Sequence, residues 1–278
     1  PFSPGRNPKR RGLSLQDEGG ACGDHMPAGG RAGFVTRTIM RLSKPGQPAK
    51  WGERHLGTLM ADTFRLTLAQ LNPTLGALEA NAVLAKTAWA EGKAAGADMV
   101  ALPEMFITGY QTRDLVMKPA FFLDAMAAIE ALARDVADGP ALGIGGPWTD
   151  GDDLYNAYHI LQGGKVAARV LKHHLPNDTV FDEVRMFTSA DVGGPYRIGP
   201  VRIGSPICED AWFDDVTETL AETGAEILLV PNGSPFEVEK SQQRLQLVRD
   251  RVAETGLALA YVNQVGGQDE LVFDGGSF

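Results

Sequence analysis

From Phe64 onward, short apolar runs alternate with longer amphipathic segments, and this alternation is the feature that most restricts the possible folds. Phe64, Leu66 and Leu68 alternate with polar residues, as in a strand that buries one face. The longer segments have the length and spacing of amphipathic helices, as at 75–95, 119–136 and 238–254. Helices that alternate with strands in this way are typical of an α/β domain whose helices cover a sheet.

One segment also predicts antiparallel strands. The apolar stretches 155–161 and 165–171 flank Gln162-Gly163-Gly164, and paired glycines can adopt the positive φ angles of a tight turn. A hairpin at this position adds antiparallel pairs to the alternating pattern. We therefore predict a fold of the α/β class with mixed sheets covered by helices.

Residues 1–59 differ in composition from the rest of the chain. They contain eleven Gly and six Pro, and ten Lys or Arg against four Asp or Glu, whereas the whole chain has a net charge of -9. Such a segment buries too little apolar surface to offset the entropy of ordering. We expect a disordered or non-native basic leader that is dispensable for stability, with a transit peptide as the alternative.

The folded domain is expected to comprise residues 60–278. Its last predicted strand begins at Leu271, close to the end of the sequence, so we expect this domain to be truncated and the strand to lack its hairpin partner.

Charge and cysteine content exclude several classes of protein. The acidic net charge argues against nucleic acid as a main partner, because phosphate binding calls for a basic surface. Two cysteines, Cys22 and Cys208, are too few for a disulfide framework and favour the reducing cytoplasm. No run approaches 18 apolar residues, so no membrane span is predicted.

Three polar residues, Glu104, Lys172 and Cys208, each follow an apolar run that predicts a strand. Side chains just past a strand are held on rigid backbone beside a loop, where catalytic groups commonly lie. A carboxylate, an ammonium and a thiol can act as general base, oxyanion stabiliser and nucleophile in acyl transfer from an amide. The spacing does not show that the three meet, and a lone Cys is often simply a small buried hydrophobe.

Four motifs carry a family resemblance: Leu102-Pro103-Glu104-Met105-Phe106, Lys172-His173-His174-Leu175-Pro176-Asn177, Val180-Phe181-Asp182-Glu183 and Ile207-Cys208-Glu209-Asp210. In this order they resemble the nitrilase, or carbon-nitrogen hydrolase, superfamily, and within it the glutamine amidotransferase domains of glutamine-dependent NAD synthetases. The resemblance implies an α-β-β-α sandwich. It also implies that Glu104 is the general base, Lys172 stabilises the tetrahedral intermediate and Cys208 is acylated by glutamine. For Glu183 it implies a second acid that orients the lysine, with a solvated loop acid as the alternative.

The same resemblance implies a glutamine pocket lined by Tyr110, Phe181, Glu209, Ser234 and Lys240. A free amino acid presents an ammonium and a carboxylate, which Glu209 and Lys240 could bind. The alternatives are an exposed helix lysine at Lys240 and an aromatic packed on the core at Tyr110. This chain has Asp178-Thr179 where the family commonly has Tyr-Gly, which puts glutamine affinity or coupling in question.

The adjacent residues His173 and His174 are candidate metal ligands. No third ligand has a suitable spacing in the sequence, so no metal site is predicted.

The predicted function is glutamine hydrolysis that releases ammonia for the ATP-dependent amidation of deamido-NAD to NAD. No pyrophosphate loop of the Ser-Gly-Gly-x-Asp-Ser kind occurs before Phe278, so ATP and Mg²⁺ are expected only in an absent synthetase domain, and no cofactor in the glutaminase part. The expected partners are glutamine, that synthetase domain and further copies in a homo-oligomer. The alternatives are a stand-alone amidase that acts on another small amide and a non-catalytic interaction module of the same fold.

Overall fold

The computed structural model describes residues 14–15, 34–41 and 63–278, of which the first two ranges are described as backbone strands only. The strands are β1 (Ser14–Leu15), β2 (Phe34–Arg41), β3 (Thr63–Gln70), β4 (Met99–Ala101), β5 (Ala141–Thr149), β6 (Leu154–Gln162), β7 (Lys165–Leu171), β8 (Tyr196–Ile198), β9 (Val201–Gly204), β10 (Ile227–Pro231), β11 (Ala258–Val262), β12 (Val265–Gln268) and β13 (Leu271–Asp274). The α-helices are α1 (Leu78–Ala94), α2 (Pro119–Asp135), α3 (Glu183–Met186), α4 (Asp214–Glu222) and α5 (Lys240–Thr255).

The strands form two main sheets. One contains β1 to β7 in sequence order, with β3, β4 and β5 parallel and β5, β6 and β7 antiparallel. The other has the order β11-β10-β9-β8, in which β9, β10 and β11 are parallel. Both main sheets of the described region therefore contain parallel and antiparallel pairs, as the sequence predicts.

The two sheets pack face to face through an apolar layer. Leu66 and Tyr158 of the larger sheet lie in one buried cluster with Ile203, Leu229 and Ala260 of the smaller sheet. Each of these side chains is at most 2% exposed, so the layer excludes water and joins the sheets into one core.

Helices cover the outer face of each sheet. Trp89 of α1 and Ile129 of α2 pack on the larger sheet, where Trp89 also donates a hydrogen bond to the Pro140 carbonyl at 2.8 Å. Leu220 of α4 and Val248 of α5 pack on the smaller sheet. The order of layers is helix, sheet, sheet, helix, and the predicted α-β-β-α sandwich is confirmed.

The hairpin between β6 and β7 also has the predicted form. Gly163 and Gly164 connect the strands with φ angles of 60° and 80°, a region that glycine adopts at little cost. Two other local predictions differ from the structure. The strand predicted at 201–207 ends at Gly204, and a 3-10 helix begins at Cys208. Moreover, β13 does not lack a partner, because it pairs with β12 from Gln268 opposite Leu271 onward.

Strand β2 lies within the segment that was expected to have no regular structure. It pairs antiparallel with the whole of β3, from Phe34 opposite Gln70 to Arg41 opposite Thr63. Four of its eight residues are Val, Thr or Ile, types that are enriched in strands, which explains how it can form a strand despite the Gly and Pro around it. The remainder of the leader, with Cys22, lies outside the described residues, and the domain boundary at residue 60 stays a prediction. Among the described helices, none combines the length and the apolar character needed to cross a bilayer.

Candidate active site

The side chains of Glu104, Lys172 and Cys208 converge on one buried region, although they lie after three different strands. The Lys172 ammonium donates to Glu104 Oε1 at 2.7 Å. The Gly233 N–H donates to Glu104 Oε2 at 2.9 Å and also interacts with the Cys208 thiol. Glu104 and Lys172 are fully buried and Cys208 is 4% exposed. The structure thus brings together the three residues that the sequence singled out.

Lys172 is held between two carboxylates. Its Nζ donates to Glu183 Oε2 at 2.7 Å, the same distance as to Glu104. Tyr110 donates its hydroxyl proton to the other oxygen, Glu183 Oε1, at 2.8 Å. Glu183 is buried at the start of α3 and is therefore not a solvated loop acid. Its carboxylate and that of Glu104 both accept hydrogen bonds from the lysine.

The two carboxylates determine the charge of the lysine. Burial acts to lower the pKa of Lys172, but the charges of Glu104 and Glu183 outweigh it and raise this pKa well above its usual value. For Glu183, burial raises the pKa and the Lys172 ammonium only partly offsets it. The lysine is consequently a fixed cation at neutral pH, suited to bind a developing negative charge.

Cys208 is a free thiol at the first residue of a 3-10 helix that ends at Trp212. Burial and the nearby Glu104 carboxylate raise the pKa of Cys208 well above its usual value. The thiol therefore holds its proton at neutral pH and needs a base to become a nucleophile. Glu104 is a carboxylate whose charge acts on this thiol.

Two residues of the site have left-handed backbone conformations. Cys208 has a φ of 49°, and Met105, which follows Glu104, has a φ of 47°. For residues other than glycine this region costs roughly 1–2 kcal/mol per residue. Such strain persists only where surrounding contacts hold it, and it is commonly found at functional sites.

Asp210 supplies one of these contacts, and sequence reasoning did not assign it a role. Its Oδ2 accepts the N–H of Ile207 at 2.9 Å, next to the thiol. Its Oδ1 accepts the N–H groups of His173 at 3.1 Å and His174 at 2.7 Å, next to the lysine. One buried carboxylate therefore connects the segment that carries Lys172 with the turn that carries Cys208. Its place two residues after the cysteine was the available signal.

Glu104 has further partners that the sequence did not reveal. Asn156 Nδ2 donates to Glu104 Oε1 at 2.8 Å, from a position in β6. Gly145 of β5 lies directly beneath Glu104, because a Cβ added there would meet Met105 N at 2.1 Å and Glu104 Cα at 2.7 Å. A polar residue in the mostly buried β6 was a detectable signal, whereas the close approach at Gly145 was not.

The predicted pocket residues fall into two groups. Tyr110 contacts Glu183 of the buried cluster, and Phe181 packs on Tyr110 with a ring centroid distance of 6.4 Å. Ser234 is buried, but its Oγ accepts a hydrogen bond from Arg244 Nε at 3.1 Å. Arg244 also donates to the Ser234 carbonyl at 2.9 Å, so this serine is held within the protein.

Glu209 and Lys240 lie nearer to solvent. Burial raises the pKa of Glu209, the charge of Lys172 lowers it, and Asp178 raises it further. Lys240 lies over the Trp212 ring at 5.3 Å and within 3.4 Å of a Glu237 oxygen. An anion and a cation thus lie on the open side of the catalytic cluster, with Asp178 close enough to influence the anion.

A possible metal-binding group is present in the described region at His173, His174 and Asp215, whose ligand atoms lie within 4.8 Å of one another. The sequence did not indicate it, because Asp215 lies 41 positions from His174. In the fold the two are adjacent.

Residues 65–278 match the carbon-nitrogen hydrolase family, and the chain belongs to this family of enzymes. Among its curated relatives, the glutamine-dependent NAD(+) synthetase of Rhodobacter capsulatus is 63% identical over 219 residues, which are 79% of this chain and 40% of that protein. The protein of the same name from Xylella fastidiosa (strain Temecula1) is 41% identical over 226 residues, 78% of this chain and 40% of its own length. The chain thus spans about 40% of the length of these relatives.

Two solved structures are similar over most of the described region. A glutamine-dependent NAD+ synthetase from Acinetobacter baumannii in complex with ADP has a TM-score of 0.74 and 33% identity, covering 77% of this chain and 41% of that one. A mutant amidase from Nesterenkonia sp. AN1 has a TM-score of 0.68 and 25% identity, covering 77% of this chain and 84% of that one. That structure shows acrylamide added at the active-site cysteine.

Proposed function

We propose that this chain hydrolyses the side-chain amide of glutamine and that the ammonia serves the amidation of deamido-NAD to NAD. The observation that carries the proposal is a buried cluster in which Lys172 is hydrogen-bonded to Glu104 and the charges of both act on Cys208, in a chain 63% identical to a relative named as a glutamine-dependent NAD(+) synthetase. The cluster suggests the chemistry, and the relatives suggest the substrate.

In the first half of the reaction, the Cys208 sulfur attacks the carboxamide carbon while Glu104 takes the thiol proton. The carbonyl oxygen becomes an oxyanion, and the fixed Lys172 ammonium stabilises it. Glu104 then gives its proton to the amide nitrogen, the C–N bond breaks and ammonia leaves. The product is a γ-glutamyl thioester on Cys208.

In the second half, water attacks the thioester and Glu104 accepts its proton. The oxyanion forms again beside Lys172 and collapses with loss of the Cys208 thiolate, which recovers the proton from Glu104. Glutamate is released. Glu183 touches neither reacting atom in this scheme, and it acts by holding Lys172 at 2.7 Å.

Recognition of glutamine is assigned to the open side of the cluster. Glu209 would bind the substrate ammonium and Lys240 its carboxylate, which together distinguish an amino acid from a simple amide. Tyr110 and Phe181 would form the apolar wall along its methylenes. Ser234 would act through its backbone and its contact with Arg244.

The use of ammonia is assigned to a synthetase domain, with ATP and Mg²⁺ bound there and no cofactor in this part. A cytoplasmic location fits a catalytic thiol that must stay reduced. The proposal also includes a homo-oligomer. A stand-alone amidase is the second candidate, because the amidase from Nesterenkonia sp. AN1 has a similar fold, with a TM-score of 0.68.

Substrate competition separates the candidates. An electrophilic glutamine analogue should label Cys208, as located by peptide mass spectrometry, and L-glutamine should protect it far better than propionamide or L-asparagine. Glutamate release should disappear in Cys208→Ala with unchanged circular dichroism, and persist in the matched control Cys22→Ala. Equal protection by propionamide would favour the amidase. Hydrolysis that survives in Cys208→Ala would refute the catalytic assignment altogether.

A further inference from the structure

Beside the catalytic cluster, His173, His174 and Asp215 form a second group of polar side chains that glutamine hydrolysis does not use. His174 Nε2 lies 2.9 Å and 3.0 Å from the two Asp215 oxygens. His173 Nε2 lies 3.9 Å from Asp215 Oδ2. The two imidazoles and the carboxylate therefore face one another across a short gap that remains partly open to solvent.

The orientation of His173 is fixed through its other ring nitrogen. Nδ1 lies 2.5 Å from the Ala190 carbonyl, which can only accept, so Nδ1 carries a proton, and in the neutral imidazole the free lone pair is on Nε2, the nitrogen nearer to Asp215. A backbone carbonyl on the second nitrogen is the usual support of a metal-binding histidine, because it fixes the tautomer and the ring plane.

The backbone and the neighbouring rings hold the group in place. Asp210 accepts the N–H groups of both His173 and His174, and the His174 ring stacks on Phe213 with a centroid distance of 4.0 Å. The Val216 N–H donates to Asp215 Oδ1 at 2.7 Å, which orients the carboxylate.

We propose that His173 Nε2, His174 Nε2 and the Asp215 carboxylate form a three-ligand site for a divalent transition-metal ion of the zinc class. Metal–ligand bonds of 2.0–2.2 Å in a tetrahedral arrangement place ligand atoms about 3.4 Å apart. The two distances from imidazole nitrogen to Asp215, 2.9 Å and 3.9 Å, bracket that value, and the three ligand atoms lie within 4.8 Å of one another. The fourth position faces solvent.

The ligand set selects the class of metal. Imidazole nitrogen suits zinc, copper, nickel and iron, whereas magnesium and calcium prefer oxygen alone. The proton that His174 Nε2 shares with Asp215 must move to Nδ1 or to solvent before the metal binds, so the metal replaces an existing hydrogen bond. Bound metal would fix the segment next to Lys172 and stabilise the native state by mass action.

Cobalt binding provides the direct test in the full-length chain. Tetrahedral Co²⁺ absorbs visible light, and Zn²⁺ should displace it stoichiometrically. His174→Ala and Asp215→Asn should each abolish the one equivalent of metal bound by the parent chain. The loss of affinity should exceed the ~10–100-fold that is typical when a residue hydrogen-bonded to a metal ligand is removed. Asp214→Asn is the matched control, since it removes the neighbouring acid and should leave the metal bound.

Two further measurements keep the inference independent of catalysis. Cys208→Ala should bind the metal with unchanged stoichiometry, which excludes coordination by the thiol. Zn²⁺ should raise the unfolding midpoint of the parent chain but not that of Asp215→Asn, and Mg²⁺ should raise neither. Equal metal binding by Asp215→Asn and the parent chain, or Zn²⁺ binding no tighter than that of Mg²⁺, would overturn the proposal. Neither result bears on glutamine hydrolysis.

Discussion

Replacing Lys172 by Met removes the positive charge that lies between Glu104 and Glu183. Both carboxylates are buried, and each accepts from Nζ at 2.7 Å. Removing one partner of a buried ion pair typically costs about 3–5 kcal/mol, because the remaining charge is left without compensation. We expect Lys172→Met to lose at least that much free energy of unfolding at pH 7, a large share of the ~5–15 kcal/mol of an ordinary domain.

The loss should depend on pH in a defined direction. In the parent chain the pKa of Lys172 is raised, so this lysine contributes its full stabilisation at every pH below its unfolded pKa of about 10.4. The stabilisation is lost only as the pH rises through the higher folded pKa. In the variant, the Lys172 ammonium no longer offsets the burial that raises the pKa of Glu183, and the Tyr110 hydrogen bond lowers this pKa only in part. A carboxyl group with a raised pKa contributes stability below about 4.3 and loses it as the pH rises. The deficit should therefore be small near pH 5 and larger near pH 8.

Urea unfolding of the full-length chain at several pH values measures this, provided that the m-value is unchanged. Lys86→Met is the matched control. Its ammonium contacts Asp135 at 2.9 Å, but the two side chains are 51% and 55% exposed, so at most ~1 kcal/mol should be lost. Equal effects of the two substitutions, or a Lys172→Met deficit that shrinks as the pH rises, would refute the reasoning.

Three further predictions concern the thiol, a glycine and the leader. Burial and the Glu104 carboxylate raise the pKa of Cys208, so the rate of its alkylation by iodoacetamide should still increase above pH 9, where the rate for an ordinary thiol levels off. Peptide mass spectrometry measures this rate, and a plateau by pH 8 would contradict the prediction. Gly145→Ala should displace Glu104 and lower kcat/KM for glutamine by about 100-fold. Gly193→Ala is the control and should leave kcat/KM unchanged, because the Cβ added there meets nothing within 4 Å. Similar kinetics for the two variants would show that the close approach at Gly145 is unimportant. A chain that starts at Met60 should keep its unfolding midpoint if the leader is dispensable, and a clear fall would show that β2 is needed to pair with β3.

The sequence predicted those features that depend on local pattern. The hairpin at Gly163-Gly164 followed from turn chemistry, and Glu104, Lys172 and Cys208 stood out because each follows an apolar run. Long-range proximity has no local signature. Nothing in the spacing placed Asp215 beside His174, and nothing in the pattern of β5 showed that a glycine must lie beneath Glu104.

Strand β2 and the hydrogen-bonded hydroxyl of Ser234 both differ from the sequence prediction because their partners were not evident from the sequence. The Gly and Pro residues around β2 suggested that it would not be ordered, whereas pairing with β3 supplies the backbone hydrogen bonds that β2 could not form alone. Ser234 fits a substrate pocket by position, but its Oγ is taken by Arg244, ten residues further along the chain on a buried helix face. Competition between partners is decided only by the packed structure.

The carboxylate of Asp210 has a consequence for how the site opens. It accepts N–H groups from Ile207, His173 and His174, which belong to segments more than thirty positions apart in sequence. None of these amide protons can exchange with water unless that carboxylate is released. Their exchange rates should therefore report a single opening equilibrium, shared by the thiol turn and the lysine segment. The two halves of the reaction centre would then become disordered together, and a partly assembled site would be rarely populated.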